Sequence, residues 1–248
     1  MNTPSKELKR RARAALTGNY FQATSMATSL SLFFFALSLL PHLSGFGRGE
    51  DALSRCLYWV LWGIILLLSA LMEVGMVRFI YFLKPGQDKK QPSRLFYGFQ
   101  NQPDAFLITF AFRGLISLVW FVPAITCYLR IPAGLEASRL LPALAPVLLL
   151  SVAGLLPALI TALPFCLSTY ILLDDLSCSP QDALLSSMQL MKGQKRRMLG
   201  LWLGFLPFAL LVIGSSGLAF LWVQPYFHAS MTQFYLQIKH ISHETVRR

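Results

Sequence analysis

The stretch Ser179–Arg197, SPQDALLSSMQLMKGQKRR, joins a capped amphipathic helix to a basic turn, and long apolar runs flank it on both sides. Ser179 is a preferred N-cap residue and Pro180 suits the first helical position. Asp182 places a negative charge at the positive end of the helix dipole. Gly193 suits the left-handed residue that follows a helix end. The pattern predicts a helix over 179–193 that connects two membrane spans.

The basic residues at the end of this stretch have two interpretations. In the first they only fix the orientation of the chain, because basic residues gather in the cytoplasmic loops of membrane proteins. In the second they form a docking surface for a partner protein or for anionic lipid headgroups. The candidate docking residues are Lys192, Gly193, Lys195, Arg196 and Arg197.

The composition of the whole chain indicates a membrane protein. Of the 248 residues, 55% are hydrophobic and only 13% are charged, whereas a soluble chain carries about 25% charged residues. The net charge of +11 does not indicate nucleic-acid binding, because the basic residues cluster beside apolar runs. The four cysteines form no CxxC pair and are widely spaced, so we expect neither a structural zinc site nor a disulfide framework. We also expect no cofactor. A disulfide between Cys56 and Cys127 requires both to lie near the outer surface.

The apolar runs predict an all-α polytopic helix bundle that forms a single membrane domain over 1–248. Apolar stretches of this length can cross a bilayer as helices. Short amphipathic helices are expected at the membrane surface over 1–19 and 179–193 on the cytoplasmic side, and over 225–241 at the C-terminus. The five predicted spans cover about 20–43, 57–83, 105–128, 143–173 and 199–222.

The distribution of Lys and Arg predicts the orientation. Thirteen of the 22 basic residues lie in three segments, 1–19, 84–104 and 174–198, which all fall on one side of a five-span chain. We call that side the basic face. The positive-inside rule then predicts a bacterial inner-membrane protein with a cytoplasmic N-terminus. With five spans the C-terminal helix lies on the opposite face, and its glutamines make it too polar to cross. A sixth crossing would improve the charge bias.

Glu73 and Arg113 are the candidate functional residues within the spans, because ionisable groups are costly in the membrane interior. Both lie at a similar depth near the basic face, in the second and third predicted spans. A direct ion pair between them indicates a structural role. A cavity lined by both residues and open to one side indicates transport.

The chain resembles a family of bacterial integral-membrane proteins known as domain of unknown function number nine-seven-five. The resemblance covers nearly the whole chain, with local departures at Val122-Pro123-Ala124 and Pro207-Phe208. It implies a multi-span membrane protein and no activity. The matching residues are SKELKRRARAALTGNY at 5–20, LFYGF at 95–99, YILLDD at 170–175, DALLSSMQLMKGQKRRM at 182–198 with its A-x-x-x-S-x-x-x-M-K-G pattern, and WVQPYFHASMTQFY at 222–235.

Two functions remain open at this point. The leading hypothesis is a non-enzymatic scaffold or accessory factor for other membrane components, with a membrane-protein partner or a homodimer. The alternative is a small-molecule or lipid transporter with a cavity near Glu73 and Arg113. No catalytic triad, phosphate-binding loop or HExxH motif occurs in the sequence, so we expect no enzymatic activity.

Overall fold

The computed structural model of the chain describes residues 5–43, 52–83, 96–131 and 137–246. The four basic residues of the segment 84–104, which the sequence assigns to the basic face, lie outside these ranges. Within them the chain forms twelve α-helices and no β-strand, which confirms the predicted all-α class. The helices are α1 (Ser5–Leu16), α2 (Tyr20–Leu43), α3 (Ala52–Tyr81), α4 (Tyr97–Gln100), α5 (Pro103–Leu118), α6 (Val122–Leu129), α7 (Ala137–Ala162), α8 (Ser168–Asp174), α9 (Pro180–Leu190), α10 (Lys195–Leu203), α11 (Leu206–Gly214) and α12 (Phe220–Val246).

Five stretches in the described part of the chain are long and apolar enough to cross a membrane. The chain is therefore a multi-pass membrane protein. The fifth stretch ends earlier than the predicted 199–222, because Ser216 and Gly217 both adopt positive φ and turn the chain. The five stretches are Tyr20–Leu43, Leu53–Tyr81, Pro103–Leu129, Leu141–Asp174 and Lys195–Gly214.

Prolines interrupt three of these spans. Short 3-10 turns precede Pro123 in the third span and contain Pro164 in the fourth, and a break at Gly204 precedes Pro207 in the fifth. Proline removes a backbone donor and its ring crowds the preceding turn. Not every proline has this effect, since Pro146 and Pro157 lie inside the continuous helix α7.

The buried core lies near the basic face. Three of the four buried side chains of α2, those of Ala23, Ala27 and Leu30, belong to its first half. The core of α3 extends from Leu71 to Ile80 in its second half. The opposite halves of the spans carry many exposed apolar side chains, such as Leu148 and Ile213. Because lipid is as apolar as leucine, exposed side chains of this kind suit contact with the bilayer.

The C-terminal helix α12 differs from the predicted surface helix on the opposite face. It packs against α1, α2 and α3, and Phe234 in its centre is completely buried. Its Lys239 lies 2.7 Å from Asp174 Oδ2, and its Gln237 accepts a hydrogen bond of 2.9 Å from Arg197. The end of α12 therefore lies at the basic face, because its polar side chains find partners inside the protein.

The connector around α9 has the predicted caps. The Ser179 hydroxyl oxygen accepts a hydrogen bond of 3.1 Å from the Asp182 N–H, and Gly193 has a φ of +77°. The side chains of Ala183, Ser187 and Met191, which form the A-x-x-x-S-x-x-x-M pattern, are completely buried. This face of α9 is therefore already covered by the protein itself.

Ser187 supplies hydrogen-bond partners to backbone groups at the break in the fourth span. Its hydroxyl donates a hydrogen bond of 2.7 Å to the Pro164 carbonyl and accepts one of 3.2 Å from the Leu167 N–H. The 3-10 turn at Leu163–Phe165 would otherwise leave these two backbone groups without helical partners. The most recognisable residues of the connector thus hold the fourth span in its broken shape.

Candidate functional site

Glu73 on α3 and Arg113 on α5 line one cavity of about 120 Å³, which we call the chamber. Of the two arrangements that the sequence left open, a direct ion pair and a shared cavity, the structure has the shared cavity. Glu73 Oε1 lies 3.6 Å from His228 Nε2 on α12, and Arg113 Nη1 lies 3.5 Å from the Thr169 hydroxyl on α8. Helix α12 thus brings His228, and not Arg113, beside the Glu73 carboxylate.

The chamber lies within the part of the spans nearest the basic face. Glu73 precedes the end of α3 by eight residues, which is about 12 Å along a helix. Aromatic and aliphatic side chains form most of the remaining wall. The polar or ionisable lining residues are Glu73, Arg113, Cys166, Thr169, Tyr170, Trp202 and His228, and the apolar ones are Ala70, Val74, Val77, Phe106, Phe110, Phe227 and Met231.

Trp202 lines the chamber and carries an unused hydrogen-bond donor. Its Nε1 atom is buried and has no hydrogen-bond partner in the described part of the chain. A buried donor without a partner costs about 1–3 kcal/mol. Protein atoms cover this N–H, so Arg113 is the charged donor that the chamber presents to a bound group.

A second cavity of about 440 Å³, the lipid-side groove, lies between α2, α3 and α12. Glu73 lines both the groove and the chamber. The Oε1 atom of Gln224 is buried in the described structure without a hydrogen-bond partner. The groove is lined by Leu30, Ser31, Phe34, Phe35, Ser38, Ser69, Glu73, Phe220 and Gln224.

Asp174 at the end of the fourth span gathers three partners from distant parts of the chain. It accepts hydrogen bonds of 2.5 Å from the hydroxyls of Tyr81 and Tyr235, and Lys239 Nζ lies 2.7 Å away. Tyr170, which lines the chamber, stacks on Tyr235 with ring centroids 5.6 Å apart. These aromatic side chains form a layer between the chamber and Asp174 at the basic face.

Sequence reasoning missed this Asp174 cluster. In the sequence Asp174-Asp175 is most simply a polar pair where a span leaves the membrane, and its partners are far away along the chain. One sequence signal for the cluster was present. Tyr235 and Lys239 lie four residues apart, so both project from the same face of a helix and can contact one carboxylate.

The candidate docking residues divide into two groups. Lys192, Gly193, Lys195 and Arg196 are exposed at the basic face. Arg197 is half-buried, donates to Gln194 and Gln237, and lies over the ring of Phe234 at 5.7 Å. Arg197 therefore belongs to the internal packing of α12, and the other four residues remain accessible.

Helix α1 also binds within the protein. Leu8, Ala12 and Leu16 are buried against the bundle. The Lys9 ammonium donates to the Gly204 carbonyl and lies 4.5 Å from the centre of the Phe205 ring. Burial lowers the pKa of Lys9, and the nearby charge of Arg13 adds to this effect. The N-terminal helix thus covers the break in the fifth span.

The structure has no disulfide at Cys56 and Cys127, since all four cysteines are free. Cys166 lies in the wall of the chamber. Within the described residues no group of three His, Cys, Asp or Glu side chains is placed to hold a metal ion.

The fold and the polar chamber define a multi-pass helical membrane protein whose spans carry charged residues at a shared cavity. The chain belongs to the family described as "Protein of unknown function (DUF975)", whose model matches residues 1–242. This confirms the resemblance read from the sequence motifs. Comparisons with curated proteins and with solved structures gave no match.

Proposed function

We propose that this protein binds a small ligand inside the membrane, in the chamber, as a transporter or lipid-handling protein. The observation that carries the proposal is that Glu73 and Arg113 share a cavity without pairing with each other. Charged groups in membrane spans are costly, and those that face a cavity mark substrate or ion pathways, proton relays or the counter-ions of a ligand. A bound polar ligand would offset both charges at once.

Comparative extraction of bound molecules tests this function. Wild-type protein and the variant Arg113→Gln are purified from native membrane in parallel, and their bound small molecules are extracted with methanol for mass spectrometry. We expect a species present at about one per chain in the wild type and depleted in the variant, because Arg113 supplies the positive charge.

Arg130→Gln is the matched control, since Arg130 is exposed at the end of α6 and does not line the chamber. It should retain the ligand of the wild type. Identical extracts from wild type and Arg113→Gln, at equal folded amounts, would contradict the proposal.

We further propose that the protein lies in the bacterial inner membrane with both described ends of the chain on the cytoplasmic side. This orientation follows from the positive-inside rule and from the return of α12 across the membrane as a sixth helix, since its Lys239 meets Asp174 at the basic face. A reporter fused to the C-terminus should give a cytoplasmic signal. A periplasmic signal would refute this orientation.

A scaffold or accessory role is the second candidate function, and like the first it is non-enzymatic. It is favoured by the exposed cluster Lys192, Lys195 and Arg196, which α9 holds in place at the basic face. The cluster suits an acidic surface of another membrane protein or of a second copy, and anionic lipid headgroups.

Crosslinking in native membrane followed by mass spectrometry tests the scaffold role. The triple variant Lys192→Glu, Lys195→Glu, Arg196→Glu should lose a stoichiometric crosslinked protein. A control with the same charge change at Lys6, Arg10 and Arg11 on α1 should keep it. No stoichiometric partner in the wild type would argue against this role.

A further inference from the structure

We infer that the ligand is a zwitterionic membrane lipid with an amine headgroup, which places its headgroup in the chamber and an acyl chain in the lipid-side groove. The inference rests on the proposed binding function of the chamber. It adds the chemical class of the ligand and the direction from which the ligand arrives.

The sizes of the two cavities suit an elongated ligand with two parts. The chamber, at about 120 Å³, is smaller than the range of about 300–1,000 Å³ that holds a whole drug-sized molecule. The groove, at about 440 Å³, falls within that range. Because Glu73 lines both, a small polar group in the chamber can continue into a longer apolar part in the groove.

The charged side chains of the chamber match both charges of such a headgroup. Arg113 is a donor, which suits the oxygens of a phosphate. The Glu73 carboxylate is an acceptor, which suits the N–H groups of an ammonium. A ligand of one sign would leave either Glu73 or Arg113 without a counter-charge.

The surroundings of the cavities favour entry from the bilayer. The groove opens between α2, α3 and α12 beside Phe35 and Phe220, whose side chains are exposed on the lipid-facing part of the bundle. Toward the basic face the stacked rings of Tyr170 and Tyr235 and the Asp174 cluster cover the chamber. A lipid can therefore enter the groove laterally from the bilayer, whereas a solute that comes from water on the basic face meets the aromatic layer.

Native mass spectrometry with defined lipids tests the headgroup. Delipidated full-length protein is titrated with phosphatidylethanolamine, phosphatidylcholine and phosphatidylglycerol of the same acyl chains. We expect one phosphatidylethanolamine per chain, bound about tenfold more tightly than phosphatidylcholine, whose quaternary ammonium has no N–H to donate to Glu73. Glu73→Gln should remove this preference, and Arg113→Gln should weaken both lipids.

A groove-filling substitution tests the acyl-chain site. Ser31→Phe places a large ring in the groove and should abolish lipid binding, with the fold unchanged by thermal unfolding. Ser29→Phe is the matched control on the same helix, because Ser29 is exposed and does not line the groove. It should bind lipid as the wild type does.

Equal binding of the three lipids, or undiminished binding in folded Ser31→Phe, would overturn the inference. The parent proposal fails separately: a water-soluble species that depends on Arg113, without a retained lipid, refutes the lipid and leaves the chamber as a ligand site. The absence of any species that depends on Arg113 refutes both.

Discussion

Single polar side chains decide the shape of this bundle, and Ser187 is the clearest example. The hydroxyl serves as donor to the Pro164 carbonyl and as acceptor for the Leu167 N–H. Inside a membrane protein no water is at hand to replace such partners. One hydroxyl on α9 thus allows the fourth span to bend without leaving its backbone unsatisfied.

Replacement of Ser187 by alanine should lower the free energy of unfolding by about 1–3 kcal/mol, because it leaves a buried backbone donor and acceptor without partners. Thermal unfolding in mild detergent measures the effect. Ser186→Ala, one position earlier and on the more exposed side of α9, should behave like the wild type. Equal stability of the two variants would show that the broken span does not need the hydroxyl.

At the scale of helices, the Asp174 cluster fastens α12 to the second and fourth spans. Tyr81 comes from α3, Asp174 from α8, and Tyr235 and Lys239 from α12. Hydrogen bonds to a charged group are stronger than neutral ones. The cluster therefore holds together three helices that are far apart along the chain.

Replacement of Asp174 by asparagine should loosen α12, because it removes the ion pair with Lys239 and weakens the bonds from both tyrosines. We expect faster hydrogen exchange in the second half of α12 and a loss of about 1–3 kcal/mol in stability. Asp175→Asn is the control, since Asp175 bonds only locally, to Ser177. Similar exchange in both variants would show that the cluster does not hold the helix.

On the scale of the whole molecule, the two ends of the chain close the bundle together. Helix α1 packs against α12, whose C-terminal part lies at the basic face. This contact buries apolar stripes that a surface helix would expose to water. The C-terminal helix is thus part of the core rather than an appendage.

A truncation pair tests this whole-molecule role. A chain that ends after Ala219 lacks α12 and should fail to accumulate, because Leu8, Ala12 and Leu16 lose their cover. A chain that ends after Ile241 keeps the described core contacts and should accumulate normally. Fluorescence-detected size-exclusion chromatography of tagged proteins compares them. Normal accumulation of the shorter chain would mean that α12 is dispensable for folding.

Much of the fold follows from local sequence patterns. Apolar runs predicted the membrane spans. The residues Ser179 and Gly193 correctly predicted where α9 begins and where the turn after it lies. Glu73 and Arg113 stood out because charges are rare in spans. The groove, the Trp202 donor and the Asp174 cluster could not be read in this way, since each depends on residues that are distant along the chain.

The sequence by itself determined that this is an all-α, multi-pass membrane chain of a known family, because hydropathy, capping and charge act over neighbouring residues. Only the tertiary structure decided where the amphipathic α12 lies. Amphipathic periodicity fixes which face of a helix is apolar, but it does not say whether lipid or protein covers that face. The connector Ser179–Arg197 shows the same division, since its caps are local while Ser187 acts on a break some twenty residues earlier.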